Sequence, residues 1–264
     1  MSSLKEFKTK TDWLNLLLSC ADQADDIARH FYNKVDLSIT EKNDKTVVSE
    51  GDLAIEKAIR DRLKVDCPEL EIYGEEYGSC DKDAPLKLII DPIDGTSNFI
   101  RKIPIFGTLL GIEKDGQIIA GVVSNPISHD RWHATKGNGA FYNDHQISVS
   151  KIENLENAQA FYGSLYGNEA RGNTKNLIDL ISRTKRQRGI GDFLMHMWVA
   201  NGYGEFGIDF GLKPWDLAPL GIIVEEAGGV VTAVSGNDFD IYEGSILSSN
   251  GQFHQDLISI YNKS

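Results

Sequence analysis

The chain has 264 residues, of which 41% are hydrophobic, so it can bury one large core or two fused subdomains. Its formal net charge of −12 and its pI of about 4.9 exclude nucleic acid as a partner, because no basic field attracts a polyanion. Residues 1–6 lack a signal-peptide core and no apolar run approaches a membrane span, so we expect a cytoplasmic protein with no membrane partner.

The pattern of apolar residues predicts alternating helices and strands. In the first 150 residues it indicates two helices, two strands and a β-hairpin, over residues 13–32 and 52–65, 70–73 and 86–90, and 105–113 with 117–123. The hairpin signal is the clearest, because Lys114-Asp115-Gly116 joins its strands. After Ser150 the pattern predicts helix, strand, helix, strand, helix. We expect one unit over residues 1–264 with subdomains roughly over 1–150 and 151–264.

Several residue types carry no functional signal. The three cysteines, Cys20, Cys67 and Cys80, are odd in number and have no Cys-x-x-Cys spacing, so neither a disulfide framework nor a zinc site is indicated. The six histidines are scattered and are assigned no role. A basic cluster is more typical of a solvated helix end than of a binding patch, although its last member could approach a substrate: Arg183, Lys185, Arg186 and Arg188.

Three acidic segments indicate a metal site. They are Gly74-Glu75-Glu76, Asp91-Pro92-Ile93-Asp94-Gly95-Thr96 and, far downstream, Trp215-Asp216. Carboxylates held within a few ångströms of one another repel by roughly 1 kcal/mol per pair in water and more near a protein surface, so they need cations between them. Because the segments contain neither Cys nor His, the ligands favour Mg²⁺, Mn²⁺ or Ca²⁺ over zinc.

The central segment can be interpreted physically. Pro92 favours an extended Asp91 just past the end of the predicted strand, and the following turn brings Asp94 back beside it. The carbonyl of the intervening residue, Ile93, is a further candidate ligand. Gly95 allows close backbone approach, and its amide and that of Thr96 would bind a phosphate if they open a helical turn.

Each acidic segment has a simpler alternative. Asp, Pro and Gly are the usual residues of an ordinary turn. A calcium EF-hand loop fails, because its third, fifth and twelfth positions are Ile93, Gly95 and Lys102. The Glu pair could be a solvated surface, and Asp216 could be the N-cap of a helix over residues 217–227.

In combination, these segments resemble the inositol monophosphatase superfamily of Mg²⁺-dependent, lithium-sensitive small-molecule phosphatases. The similarity covers nearly the whole chain and includes residues 42–52, 74–76, 91–99, 214–218 and 225–229. It implies an α+β fold, a layered α/β/α/β/α sandwich of the inositol monophosphatase and sugar phosphatase type. It also implies a site between the subdomains and a homodimer.

The resemblance assigns roles to individual residues. It implies a site for two or three Mg²⁺ ions, with Mn²⁺ as a possible substitute, whose ligands are Glu75, Asp91, the Ile93 carbonyl, Asp94 and Asp216. Asp91 would bridge two ions. Glu75 would also position the attacking water, and a pair formed by Asp52 and Thr96 would be a second path for polarising it. The expected reaction is hydrolysis of a small phosphorylated metabolite with no phosphorylated side chain.

The resemblance also bears on the substrate. Similarity to the family places substrate contacts at Gly95, Thr96, Gly191, Asp192 and Asp209. The Gly191-Asp192-Phe193 turn, with Arg131-Trp132, looks more like the histidinol-phosphatase branch, and extra carboxylates suit the ammonium and imidazole of histidinol phosphate.

Alternatives to this assignment stay open. Inositol 1-phosphate is the alternative substrate, and Asp192 could instead be the N-cap of a helix over residues 193–201. A non-catalytic binding or scaffold protein is disfavoured, because such proteins usually lose a ligand and all four ligand acids are present here. A bisphosphorylated substrate would require additional basic residues near the site to bind its second phosphate, and the sequence shows no clear set of them.

Overall fold

The structure is a computed structural model that describes residues 9–42, 46–79, 81, 83–165 and 168–263, with no side-chain description for 168–171. The helices are α1 Lys10–Tyr32, α2 Glu50–Asp66, α3 Thr96–Ile100, α4 Asn168–Ser182, α5 Asp192–Ala200, α6 Pro214–Glu226 and α7 His254–Lys263. The strands are β1 Ile39–Glu41, β2 Val47–Ser49, β3 Glu71–Gly74, β4 Leu86–Asp94, β5 Gly107–Lys114, β6 Gln117–Asn125, β7 Asp130–Thr135, β8 Ala140–Tyr142, β9 His145–Gln146, β10 Gln159–Tyr162, β11 Arg186–Gly189, β12 Phe206–Phe210, β13 Val230–Thr232 and β14 Ser245–Ser249.

Two large sheets organise the chain. The first has seven strands in the order β3-β4-β5-β6-β7-β8-β9, with β3 and β4 parallel and the other neighbours antiparallel. The second has five strands in the order β11-β10-β12-β14-β13, parallel where β10 meets β11 and β12. Strands β1 and β2 form a separate antiparallel pair.

Helices cover the sheets in layers. Helices α1 and α2 pack on the outer face of the seven-stranded sheet, and α5 and α6 lie between the two sheets. Helices α4 and α7 pack together, and α4 contacts the five-stranded sheet through β12. Separate apolar clusters fill the spaces, one beneath α1 and α2, one around α5 and α6, and one beneath α4 and α7. This arrangement is the expected α/β/α/β/α sandwich.

Local sequence explains how α1 and α2 begin. Thr9 and Asp12 form a reciprocal capping box at the start of α1, and Ser49 and Asp52 form one at the start of α2. Buried residues such as Leu17 recur along one face of α1 and turn that face toward the sheet. No helix in the part of the chain that the structure describes combines the length and apolar character of a membrane span.

The structure agrees with most predicted elements and extends others. Both predicted amino-terminal helices and the hairpin, formed by β5 and β6, are present. The pattern predicted after Ser150 is incomplete, because it omits the short strands β10, β13 and β14 and the helix α7. Cys20 and Cys67 are buried free thiols, and Cys80 lies outside the described residues.

Candidate metal and phosphate site

The Asp91-Pro92-Ile93-Asp94 segment belongs to strand β4. We expected the strand to end before Asp91 and a turn to follow, but β4 pairs with β5 as far as Asp94. The pairing register shifts between Asp91 and Asp94, which marks a β-bulge or similar irregularity. Because residues three apart face opposite sides of a regular strand, this irregularity lets both carboxylates reach the same site. The ordinary-turn alternative is therefore wrong.

The third acid of the site comes from helix α6. Asp216 is the third residue of α6, and its carboxylate accepts a 2.7 Å hydrogen bond from the amide of Lys213, which is the N-cap. The alternative that Asp216 is itself the N-cap is therefore wrong. Trp215 packs edge-on against Tyr73, with ring centroids 5.5 Å apart, and so fixes the start of α6 beside β3.

The three carboxylates converge. Asp91, Asp94 and Asp216 each offer an oxygen, and these oxygens lie within 4.8 Å of one another. Asp91 is 2% exposed, and its Oδ1 is a buried atom without a hydrogen-bond partner. A buried, unpaired carboxylate oxygen in an acidic cluster is costly without a cation. The donor set contains only oxygen, so the cluster fits a hard divalent cation.

Burial dominates the electrostatics of this cluster. It raises the pKa of Asp91 and of Asp94 well above the ordinary value for a carboxyl group, and neighbouring acids add to the effect. Burial also raises the pKa of Asp216 to about 7, with a further contribution from the charge of Glu75. These shifts show that the folded chain disfavours several negative charges in the cluster, which is the condition that a bound cation relieves.

Glu75 lies at the same cavity but outside the cluster of three. Its carboxylate accepts a 2.8 Å hydrogen bond from the ammonium group of Lys42, which also contacts Glu76 at 2.8 Å. The Glu pair is thus not a simple solvated surface. Glu75 lies near enough for its charge to raise the pKa of Asp91. The role of Glu75 as a ligand stays a prediction.

Thr96 connects the strand to helix α2. Its hydroxyl lies 2.9 Å from the carbonyl oxygen of Ile93 and 3.3 Å from Oδ1 of Asp52, and its single proton can be donated to one of them at a time. Asp52 in turn accepts hydrogen bonds from the amide and the hydroxyl of Ser49, at 2.9 and 2.6 Å. The predicted pairing of Asp52 with Thr96 is therefore present in the geometry. Burial raises the pKa of Asp52 to about 6.

Gly95 occupies a position that requires glycine. Its φ is 82°, and a Cβ there would lie 3.1 Å from the carbonyl oxygen of Ile105 and 3.2 Å from Oδ2 of Asp192. Gly95 is the N-cap of α3, so the first amides of that helix have no intrahelical acceptor. The residues that carry these amides, Gly95, Thr96 and Ser97, line the same cavity as the acids.

The cavity has a volume of about 630 Å³. Among the described residues, its lining includes Arg101 and Ser164, two residues that the sequence did not predict. The guanidinium of Arg101 donates a 3.0 Å hydrogen bond to the carbonyl of Ser97. Because Arg101 lies just beyond the 91–99 segment in the chain, extending that segment could have found it. Ser164 follows β10 in the second sheet, and no sequence signal places it here.

Asp192 enters the cavity from the start of α5. It is the first residue of α5, its φ is 56°, and its carboxylate accepts a 2.9 Å hydrogen bond from the side-chain amide of Asn98. The N-cap is Gly191, and the carboxylate of Asp94 accepts the 2.6 Å hydrogen bond from the amide of Phe193. The alternative that Asp192 caps this helix is therefore wrong.

The other two predicted substrate residues are Gly191 and Asp209. Asp209 is 5% exposed on β12 and accepts a 2.9 Å hydrogen bond from the amide of Phe210, and burial raises its pKa to about 7. Neither Gly191 nor Asp209 is among the described residues that line the cavity. The basic cluster ending at Arg188 is exposed at all four positions, and Arg188 does not line the cavity either.

Comparison with known proteins identifies the family. A model of the inositol monophosphatase family matches residues 12–264. The chain is 36% identical over 256 residues to the histidinol-phosphatase of Mycobacterium tuberculosis, covering 95% of this chain and 98% of that protein. It is also 36% identical over 261 residues to the histidinol-phosphatase of Streptomyces coelicolor, covering 96% and 97%.

A solved structure supports the same assignment. The inositol monophosphatase (IMPase) of Thermotoga maritima matches with a TM-score of 0.86 at 31% identity, over 96% of this chain and 97% of that chain. The expected layered fold of this type is thereby confirmed. The extent of these matches shows that the chain, a phosphoric monoester hydrolase that acts on a small phosphorylated substrate, belongs to the inositol monophosphatase family.

Proposed function

We propose that the chain is a Mg²⁺-dependent phosphatase that hydrolyses histidinol phosphate. The observation that carries this proposal is the cluster of Asp91, Asp94 and Asp216, whose oxygens lie within 4.8 Å of one another in a cavity that also holds the start of α3. Carboxylates suited to a cation and backbone amides suited to a phosphate thus share one space.

The cation would be held by residues that converge on the cavity. We assign Asp91, Asp94 and Asp216 as ligands, with Glu75 and the Ile93 carbonyl completing a site for two or three ions of Mg²⁺ or, as a substitute, Mn²⁺. When bound, Mg²⁺ supplies positive charge that neutralises phosphate oxygens, lowers the pKa of a bound water and stabilises the leaving alkoxide.

The chain's own groups orient the reactants. The amides of Gly95 and Thr96 would bind the phosphate, since the first amides of a helix lack intrahelical acceptors. The hydroxyl of Thr96, held between Asp52 and the Ile93 carbonyl, would accept a hydrogen bond from the attacking water while donating its own proton to Asp52. Glu75, which lines the same cavity, would also orient this water.

Asp192 supports histidinol phosphate as the substrate. Asp192 lines the cavity and does not cap α5, and we infer that its carboxylate binds the ammonium group of an amino alcohol. The two relatives at 36% identity carry the name histidinol-phosphatase. Inositol 1-phosphate remains the second candidate, because the Thermotoga maritima structure at 31% identity is called an IMPase.

The resemblance to the family also bears on the assembly of the protein. We infer a cytoplasmic homodimer, each copy a single unit over residues 1–264 with subdomains divided near residue 150, from the resemblance to the family. The division is supported by the sheets, since the seven-stranded sheet uses β3 to β9 and the five-stranded sheet uses β10 to β14. Light scattering at several protein concentrations measures the oligomeric state directly.

Phosphate release from two substrates tests the proposal. L-Histidinol phosphate and myo-inositol 1-phosphate are compared at equal concentrations, with Mg²⁺ and with a chelator. We expect turnover of histidinol phosphate that requires Mg²⁺ and a lower kcat/KM for inositol phosphate. A higher kcat/KM for inositol phosphate would replace the proposed substrate, and equal rates with the chelator would refute the role of the cation.

A further inference from the structure

The acidic residue Glu75 sits on a closed turn. Gly74 and Gly78 exchange both of their backbone hydrogen bonds, at 3.1 and 3.0 Å, and so close the turn at its base. The amide of Glu75 donates a 3.2 Å hydrogen bond to the carbonyl of Ile90, which attaches the turn to β4. The position of the Glu75 backbone is therefore set by the shape of this turn.

A buried carboxylate from helix α2 binds the backbone of the turn. Glu56 is fully buried, and its two oxygens accept hydrogen bonds from the amides of Glu76 and Tyr77, at 2.8 and 3.2 Å. Arg60, one turn later on α2, donates from Nε to the same carboxylate at 2.8 Å and from its guanidinium to the carbonyl of Gly78. Glu56 and Arg60 thus hold the turn from the side away from solvent.

Gly74 and Glu56 fit together as one unit. A Cβ on Gly74 would lie 2.1 Å from Oε1 of Glu56, far inside any real contact distance. Glycine at this position makes room for the carboxylate. A buried carboxylate is costly unless its hydrogen bonds are made, and here they are made to the backbone of a functional turn.

We propose that Glu56 is a positioning residue that holds Glu75 at the cavity and thereby sets the affinity for the divalent cation. The inference rests on the proposed function, since it takes the cation to bind at this cavity. On its solvent side the Glu75 carboxylate is held by Lys42, a side chain that is 25% exposed. The fixed part of the support for Glu75 is the backbone of the turn. Glu56 accepts hydrogen bonds directly from that backbone.

The experiment measures binding of Mg²⁺ alone by isothermal titration calorimetry in the full-length chain. Glu56→Gln keeps the side-chain volume but presents an NH₂ group to amides that need an acceptor. We expect a loss of about 10-fold or more in Mg²⁺ affinity, the range typical of groups that support metal ligands. The Mg²⁺ concentration that half-saturates turnover should rise by the same factor, and excess Mg²⁺ should restore kcat.

Glu205→Gln is the matched control. Glu205 is 3% exposed and accepts hydrogen bonds from the hydroxyl of Ser150 and the amide of Gln159, and it does not line the cavity. The Glu205→Gln variant should have lower thermal stability than the wild type but the same Mg²⁺ affinity. If Glu56→Gln does not fold, Arg60→Gln perturbs the same turn and should weaken Mg²⁺ binding in the same direction.

Unchanged Mg²⁺ affinity in Glu56→Gln, or an equal loss in Glu205→Gln, would overturn the inference. The proposed function fails separately, if the wild-type chain releases phosphate from neither substrate. In that case the calorimetric comparison still decides the role of Glu56, because it requires no turnover.

Discussion

The carboxylate of Asp94 accepts a 2.6 Å hydrogen bond from the backbone amide of Phe193. One residue of the acidic cluster therefore also fixes the first turn of α5, where the amides and the helix dipole favour a negative charge. The preceding residue, Asp192, is carried into the cavity by the same contact. The group that we propose for substrate recognition is thus tied to the site of catalysis.

Asp192→Asn should reduce specificity without disturbing the fold. Asn tolerates the left-handed backbone at this position and can still accept the hydrogen bond from Asn98, but it carries no charge for an ammonium group. We expect kcat/KM for histidinol phosphate to fall by about 10- to 100-fold, the equivalent of a hydrogen bond to a charged group. Turnover of inositol phosphate is the internal control. Equal losses on both substrates would contradict amine recognition by Asp192.

Thr96→Ala should slow turnover while leaving cation binding intact. The variant removes the hydroxyl that lies between Asp52 and the Ile93 carbonyl but removes no carboxylate. A loss of about 100-fold in kcat is typical of a group that assists proton transfer. Thr96→Ser, which keeps the hydroxyl, should retain most of the activity. Calorimetry with Mg²⁺ checks the second half of the prediction, and a parallel loss of Mg²⁺ affinity would argue against the assigned role.

Gly95→Ala should lower turnover, because its Cβ would lie 3.1 Å from the carbonyl oxygen of Ile105 and 3.2 Å from Oδ2 of Asp192 and would force these groups at the cavity to shift. Gly116→Ala is the matched control, because Gly116 has a similar φ of 76° in the β5–β6 turn, but a Cβ added there would meet nothing within 4 Å. Both variants should lose about 1 kcal/mol of stability from the left-handed backbone, measured by urea unfolding. Only Gly95→Ala should lose phosphate release, so full activity in that variant would contradict the requirement for glycine at this position.

The cation-free protein should lose stability as pH rises from about 4 to about 7. Burial raises the pKa of Asp216 to about 7, so over this range the folded chain binds more protons than the unfolded chain. The free energy of unfolding therefore falls as pH passes through the raised pKa. Urea titrations with chelator at pH 5 and 7.5 measure the change, and Asp216→Asn should reduce it. Greater stability at pH 7.5 than at pH 5 in both the wild type and Asp216→Asn would contradict the prediction and show that other titratable groups dominate the pH dependence of stability.

The sequence was sufficient to predict the acids and the layered fold, but not the local geometry that joins them. Asp91 and Asp94 were recognisable from the combination of acidic segments and its resemblance to the family, yet the irregularity in β4 that places them together depends on pairing with β5. The strands β10 and β13 are only four and three residues long, too short for a periodic signal. Ser164 reaches the cavity through packing between distant segments, which no local pattern encodes.

The most direct test of the central claim is calorimetric titration of Mg²⁺ into the wild-type chain and into Asp91→Asn, with release of phosphate from histidinol phosphate measured on the same preparations. Asp91 carries the buried oxygen without a partner at the centre of the cluster. We predict Mg²⁺ binding and Mg²⁺-dependent phosphate release in the wild type, and loss of both in a folded Asp91→Asn. Retention of Mg²⁺-dependent turnover by Asp91→Asn would contradict the assignment of this cluster as the catalytic metal site.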